Sequence, residues 1–201
     1  MNPIGTLHER MVFGRRTRAL ATALAALIPE NARTMLDVGC GDGTISRLIQ
    51  QLRPGLSILG ADVLARPHTH IPVTLFDGRR LPFLDGAFDV VMFVDVLHHT
   101  DDPTVLLREA KRVSRGAVVL KDHMRDRVLA DATLRLMDWV GNAHHGVRLP
   151  YNYWSSAEWR SAFDAIGLSP QRTETQLGLY PFPTSLIFER GLHFVARLGV
   201  G

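Results

Sequence analysis

Leu36-Asp37-Val38-Gly39-Cys40-Gly41-Asp42-Gly43-Thr44 decides the fold. Thr34 to Val38 is short and apolar, as a buried strand should be. The three glycines let the chain turn tightly and bring backbone close to a ligand. From Thr44 to Leu52 the apolar residues Ile45, Leu48, Ile49 and Leu52 recur at helical spacing. Strand, glycine turn and helix in succession begin a Rossmann-like α/β unit. The pattern continues on both sides. Leu20, Leu24, Leu27 and Ile28 form one face of a first helix that Pro29 stops. Further strands are expected at Ser57–Ala61, Val73–Phe76, Phe88–Val94 and Gly116–Lys121. A helix opens at Asp102-Pro103, and another from Arg125 to about Val140 should turn Leu129, Ala132, Leu136 and Trp139 inward. Ser155 to Glu158 reads as a capping box, with Gly167 ending its helix. Gln171–Leu177 and Thr184–Arg190 read as a terminal antiparallel hairpin. The expected fold is a doubly wound, seven-stranded sheet in a single domain. Residues 1–33 form a helical cap, 34–121 a cofactor-binding core and 122–201 a substrate-side half.

Such sheets bind ligands beyond the carboxyl ends of their strands. Two ligands compete for the glycine turn. A dinucleotide fingerprint needs glycine three residues after Gly41, and this chain has Thr44. Asp37, beside the turn, would repel a pyrophosphate and suits an ammonium group, such as that of S-adenosylmethionine. Asp62 lies 21 residues after Gly41, where its carboxylate can accept from both hydroxyls of a ribose. Asp77, after the third strand, supplies an acceptor for an adenine amino group, with the Gly78 and Arg79 backbone beside it.

The stretches LDVGCGDGT (36–44), GADV (60–63), FDGRRLPF (76–83) and FDVVMFVDVLHH (88–99) resemble the successive motifs of class I S-adenosylmethionine-dependent methyltransferases. The small-molecule branch with the ubiquinone and menaquinone enzymes is the most similar. The resemblance covers residues 34 to 121 by motif and the rest by topology. It implies S-adenosylmethionine as cofactor. It implies that Asp37, Gly39 and Gly41 hold the methionine part, Asp62 and Val63 the ribose, and Asp77 and Gly78 the adenine. Asp95 and His98 would line the methyl-donor pocket.

The acceptor is narrowed by exclusion. Cys40 is the only cysteine and sits in the cofactor loop, so cytosine C5 and arsenic chemistry lack their thiols. Val94-Asp95-Val96-Leu97 replaces the D/N-P-P-Y/F motif of amino methylation on nucleic acids. The full carboxylate set of a metal-dependent catechol enzyme is absent, although Asp122 follows the fifth strand. A small-molecule acceptor remains, methylated at oxygen or carbon, with histidine suited to act as base at neutral pH. Among nine histidines, His123 comes first as candidate and His145 second. His123 with His144 and His145 is a weak metal trio, and no metal is expected. Tyr151–Trp154 and Leu177–Phe182 are aromatic and could form an apolar lid or ordinary core. Leu186–Leu198 reads as a final amphipathic piece, fit for a homodimer or a hydrophobic substrate.

Composition agrees with a globular protein. Of 201 residues, 46% are hydrophobic and 21% charged, with a net charge of +3. So weak a field argues for no nucleic-acid partner. The longest apolar run, about ten residues around Ala23–Ile28, is half of the roughly 20 a membrane span requires. One cysteine fits a reducing, cytoplasmic setting. Arg15, Arg16 and Arg18 before the alanine-rich run read as part of the first helix rather than as a transit signal. The rival readings are an RNA- or protein-directed methyltransferase, a cofactor-binding scaffold without turnover, and a nicotinamide oxidoreductase.

Overall fold

The computed structural model describes residues 3–142 and 150–201, with side chains over 14–139 and 150–201. Its strands are β1 (Thr34–Val38), β2 (Ser57–Asp62), β3 (Val73–Leu75), β4 (Phe88–Val94), β5 (Ser114–His123), β6 (Leu168–Glu174) and β7 (His193–Val200). They form one sheet in the order β3-β2-β1-β4-β5-β7-β6. The first five run parallel, and β7 runs antiparallel between β5 and β6. The seven-stranded Rossmann-like sheet with an antiparallel carboxyl-terminal pair is the expected fold. Chain order reverses between β1 and β4, which opens the crevice where such sheets take ligands.

Alternation along the strands builds two cores. Leu36, Val38, Val91, Phe93, Val118 and Leu120 face α3 (Pro103–Val113) and α5 (Ser156–Ile166). Met35, Val90, Met92 and Val119 face α1 (Pro3–Leu27) and α2 (Thr44–Leu52). β4 and β5, covered on both sides, are apolar throughout their middles. The caps are local. Asp102 accepts the Thr104 N–H at 2.8 Å with Pro103 next to it, and Ser155 and Glu158 close a reciprocal box. Among the described residues, no helix is long and apolar enough to cross a membrane.

Three expectations need correction. The segment Thr184–Arg190 is no strand: it carries the short helix α6 (Ser185–Phe188), and the second strand of the pair is β7, at 193–200. β7 is flanked on both edges, so the ladder selects the run His193–Leu198, buried except at half-buried Arg197, over the exposed Leu186 and Ile187. Of the expected amphipathic piece Leu186–Leu198, Leu192, Phe194, Val195, Ala196 and Leu198 are thereby buried inside the fold, while Leu186 and Ile187 are exposed.

The fourth long helix, α4 (Ala130–Asn142), starts five residues later than its apolar pattern suggests. Leu129 takes φ 61°, and Asp126 serves instead to accept the Ser156 N–H that opens α5. The helix is rotated accordingly. Ala130, Leu134 and Asp138 point inward, while Leu129, Leu136 and Trp139 are exposed. The third correction concerns β5, which extends to His123 because β7 pairs with it there, so Asp122 and His123 lie within the strand.

Candidate active site

The glycine loop is folded around Asp62. Gly41 N–H donates to Asp62 Oδ2 at 2.8 Å, and Leu64 N–H donates to Oδ1 at 2.8 Å. Each carboxylate oxygen retains a lone pair for a ligand hydroxyl. Gly39 takes φ 73°, and a Cβ there would sit 2.5 Å from Val96 Cγ2, so only glycine fits. Asp37, at the end of β1, is buried and accepts the Ser46 hydroxyl at 2.6 Å. Burial, abetted by Asp62, pushes its carboxyl up to about 7 against the pull of Ser46. A ligand ammonium would supply the positive partner this group lacks.

Asp77 lies two residues beyond β3 and is exposed, its Oδ1 accepting the N–H groups of Arg80 and Arg79. Those bonds hold its carboxyl below the usual range. The Arg79 N–H is therefore engaged within the chain. Exposed Val63 lies against Gly78, where a Cβ would meet Val63 Cγ1 at 3.2 Å. A cleft of about 220 Å³ runs from the loop toward β4. Arg16 and Leu20 of α1 wall it on one side, and Asp37, Gly39 and Asp95 on the other.

Asp95 joins the cleft to a buried polar network. It follows β4 with φ 56°, a strained conformation for a non-glycine residue. Its carboxylate pairs with Lys121, and Arg16 stands 3.6 Å away. Burial would raise this carboxyl, yet Lys121, Arg16 and His98 hold it well below the usual range. Lys121 is completely buried. Besides Asp95 it reaches His193 Nδ1 at 3.2 Å and His123 Nε2 at 3.4 Å, one partner for each ammonium hydrogen. Among the described residues His123 Nδ1 makes no hydrogen bond; it lies 3.5 Å from Asp122 Oδ1 and 3.6 Å from Asp95 Oδ1. Burial, reinforced by Lys121, pushes the His123 ring well below its ordinary pKa, so it is neutral.

On the other side of β5, Asp122 is fully buried and accepts His98 Nδ1–H at 2.7 Å. Asp122 also takes the N–H groups of Leu97 and His123. His98 Nε2 comes within 3.3 Å of Asp138, which also holds the Tyr153 hydroxyl. Burial opposes charge on His98, but Asp122 and Asp138 prevail and lift its pKa to about 10. His99 next to it is pushed down to about 4 by burial and by its charged neighbour. The two aromatic segments close over this network. Tyr153 stacks on His98 at 5.4 Å, and Tyr180 stacks on His193 at 5.8 Å beneath the Arg16 guanidinium.

The structure thus brings Asp37, Gly39, Gly41, Asp62 and Asp95 around one loop and cleft, with His98 and His123 behind. Val63, Asp77 and Gly78 form a separate rim. His145 lies outside the described residues. Lys121, Asp138 and His193 were not singled out in the sequence. A charged residue inside the apolar run GAVVLK was the available signal for Lys121. Asp138 had none, because the inward face of α4 is chosen by its packing against Tyr153 and Leu192.

The sequence family described as "Methyltransferase domain" matches residues 12–172. The 2-methyl-6-phytyl-1,4-hydroquinone methyltransferase of Synechocystis is 29% identical over 141 residues, 65% of this chain and 39% of that protein. The demethylmenaquinone methyltransferase of Thermotoga maritima is 27% identical over 123 residues, 57% of this chain and 54% of that protein. The chain therefore spans about half or less of the length of these curated relatives. An S-adenosylmethionine-dependent methyltransferase structure from Mesorhizobium loti superposes with a TM-score of 0.63 at 19% identity, covering 89% of this chain and 96% of that one. Strand order, glycine loop and family match agree: the chain belongs to the class I S-adenosylmethionine-dependent methyltransferases.

Proposed function

We propose that this protein moves a methyl group from S-adenosylmethionine to an oxygen or acidic carbon of a small, flat or apolar acceptor. The observation that carries the reading is the set of carboxylates at or just beyond the carboxyl ends of three adjacent parallel strands. Asp37 and Asp62 end β1 and β2 beside the glycine loop, whose Gly41 N–H Asp62 accepts, and Asp77 lies two residues beyond β3. In that reading Asp37 meets the methionine ammonium, Asp62 and Val63 the ribose, and Asp77 and Gly78 the adenine. Gly39 and Gly41 let the backbone approach, and Asp95 and His98 line the donor-methyl end. Aromatic Tyr153 and Tyr180 near that end suit a ring-bearing acceptor. The named relatives that act on a phytyl hydroquinone and on demethylmenaquinone support the same class.

The reaction is an in-line displacement. The acceptor's electron pair forms the new bond to the methyl carbon, while the S–CH3 bond breaks with its pair retained on sulfur. Alignment of the two supplies most of the catalysis. Lys121 donates to His123 Nε2, so the ring carries its hydrogen on Nδ1, toward Asp95. The proton of a hydroxyl acceptor goes to His123 Nε2 once the ammonium turns wholly to Asp95 and His193, and the neutral ring favours that role. The test uses S-adenosylmethionine labelled in its methyl group and a panel of hydroquinones and phenols. Label in the organic extract with equimolar S-adenosylhomocysteine is expected. Label transferred only to added RNA or protein would overturn the small-molecule reading. No turnover with any acceptor despite tight cofactor binding would favour the scaffold.

A further inference from the structure

Two imidazole nitrogens of the buried network, His98 Nε2 and His99 Nδ1, are shielded from solvent and make no hydrogen bond among the described residues; His98 Nε2 has only the ion pair to Asp138 Oδ2 at 3.3 Å. His98 is only 1% exposed. Buried polar atoms are almost always hydrogen-bonded, so two such nitrogens side by side call for an occupant. The single 3₁₀ turn Leu97–His99 after β4 brings the two rings within 4.1 Å of each other. From across the turn, the inward face of α4 delivers Asp138. The two nitrogens and a carboxylate oxygen of Asp138 all lie within 4.8 Å of one another.

We propose that His98 Nε2, His99 Nδ1 and Asp138 bind a divalent transition-metal ion of the zinc type. Three features of geometry carry this. First, the 3.3 Å between His98 Nε2 and Asp138 Oδ2 equals the edge of a tetrahedron whose metal–ligand bonds are about 2.0 Å. Second, His98 is already oriented as a ligand: Asp122 accepts its Nδ1–H at 2.7 Å from the far side, which points Nε2 at the site. Asp122 is itself fixed by the Leu97 and His123 N–H groups. Third, the Tyr153 hydroxyl holds Asp138 in place, a second outer contact on a ligating group. Two nitrogens and one oxygen suit zinc or its neighbours and disfavour magnesium and calcium, which take oxygen ligands. The other convergent trio, Asp95, His98 and His123, is weaker because Lys121 already occupies Asp95.

Three protein ligands leave a fourth position open. An acceptor oxygen could take it and ionise more readily there. That further step rests on the acceptor reading above, whereas binding of the ion does not. The competing account is a charged His98 shared between Asp122 and Asp138, with no ion.

The full-length protein, stripped with a chelator, is titrated with zinc by calorimetry and with cobalt by visible absorption. One equivalent of each is expected, with the d–d bands of a low-symmetry cobalt site and no response to magnesium. Asp138→Asn, whose amide oxygen still accepts from Tyr153, and His99→Gln should each weaken zinc at least about tenfold. Their circular dichroism and S-adenosylhomocysteine affinity should stay as in the wild type, which separates loss of the metal from failure of the methyltransferase reading. Should a variant fail to fold, the wild-type cobalt spectrum decides alone. Absence of cobalt or zinc binding by folded wild-type protein, or unchanged affinity in both variants, would overturn the proposal.

Discussion

Asp62 is held by two backbone N–H groups from its own neighbourhood, whereas His98 is held by side chains from β5 and α4 with Tyr153 stacked on it. The two ends of this crevice are built by different means. At the end proposed for the cofactor, loop geometry and strand-end carboxylates form a cradle of backbone and short side chains. At the end proposed for the acceptor, ionisable groups from several elements are driven together under the aromatic segments. Changes in the cradle should appear in cofactor affinity, and changes in the network in turnover.

The largest effect is expected from His123→Asn. Loss of a positioned base should lower kcat by about 10²- to 10⁴-fold and leave S-adenosylhomocysteine affinity within a few-fold. Equal loss in both quantities would erase the distinction between the two ends. Next comes Gly39→Ala. The positive φ and the approach to Val96 together cost on the order of 3 kcal/mol, to be read as lost cofactor affinity and a lower unfolding midpoint.

Asp37→Asn should show itself through pH. The folded pKa of Asp37, about 7, is raised above its unfolded value, so this group's contribution to stability is full below pH 4 and is lost as pH rises through 7. Urea unfolding of the unliganded wild type, referred to Asp37→Asn, should fall by about 2–3 kcal/mol between pH 5 and pH 8. Cofactor binding should run the other way, tightening as Asp37 ionises to meet an ammonium. A flat difference between the two proteins would contradict the burial argument. The smallest effect belongs to Arg135→Ala on the exposed face of α4. Its pairs with Asp131 and the Tyr151 ring are solvent-facing, so the urea unfolding curve should stay superimposable on that of the wild type.

The same division explains what could be read from the sequence. β1, α2, β4, α3 and the Ser155 box appear where their residues place them, because caps, proline, glycine and apolar runs act over a few positions. The cradle follows the same local logic, so Asp37, Gly39 and Asp62 were visible. The network was not. Asp138 turns inward with Ala130 and Leu134, the face that packs on Tyr153 and Leu192, and His193 meets His123 only because β7 enters the sheet at that register. Lys121 looked like the end of a strand, yet the extra pairing with β7 carries the strand past it and buries it. The displaced hairpin has the same origin: local propensity favours neither 184–190 nor 193–200, and the neighbouring strands choose.

Whether the loop that Asp62 pins is an S-adenosylmethionine cradle is decided by calorimetric titration with S-adenosylhomocysteine, with NADH as control ligand and Asp62→Ala alongside. Micromolar binding of S-adenosylhomocysteine and none of NADH are expected, with a loss on the order of 100-fold in the variant, which forfeits the bond to the Gly41 N–H and the acceptor for the ribose hydroxyls. Binding of NADH, or undiminished affinity of Asp62→Ala for S-adenosylhomocysteine, would overturn the cradle.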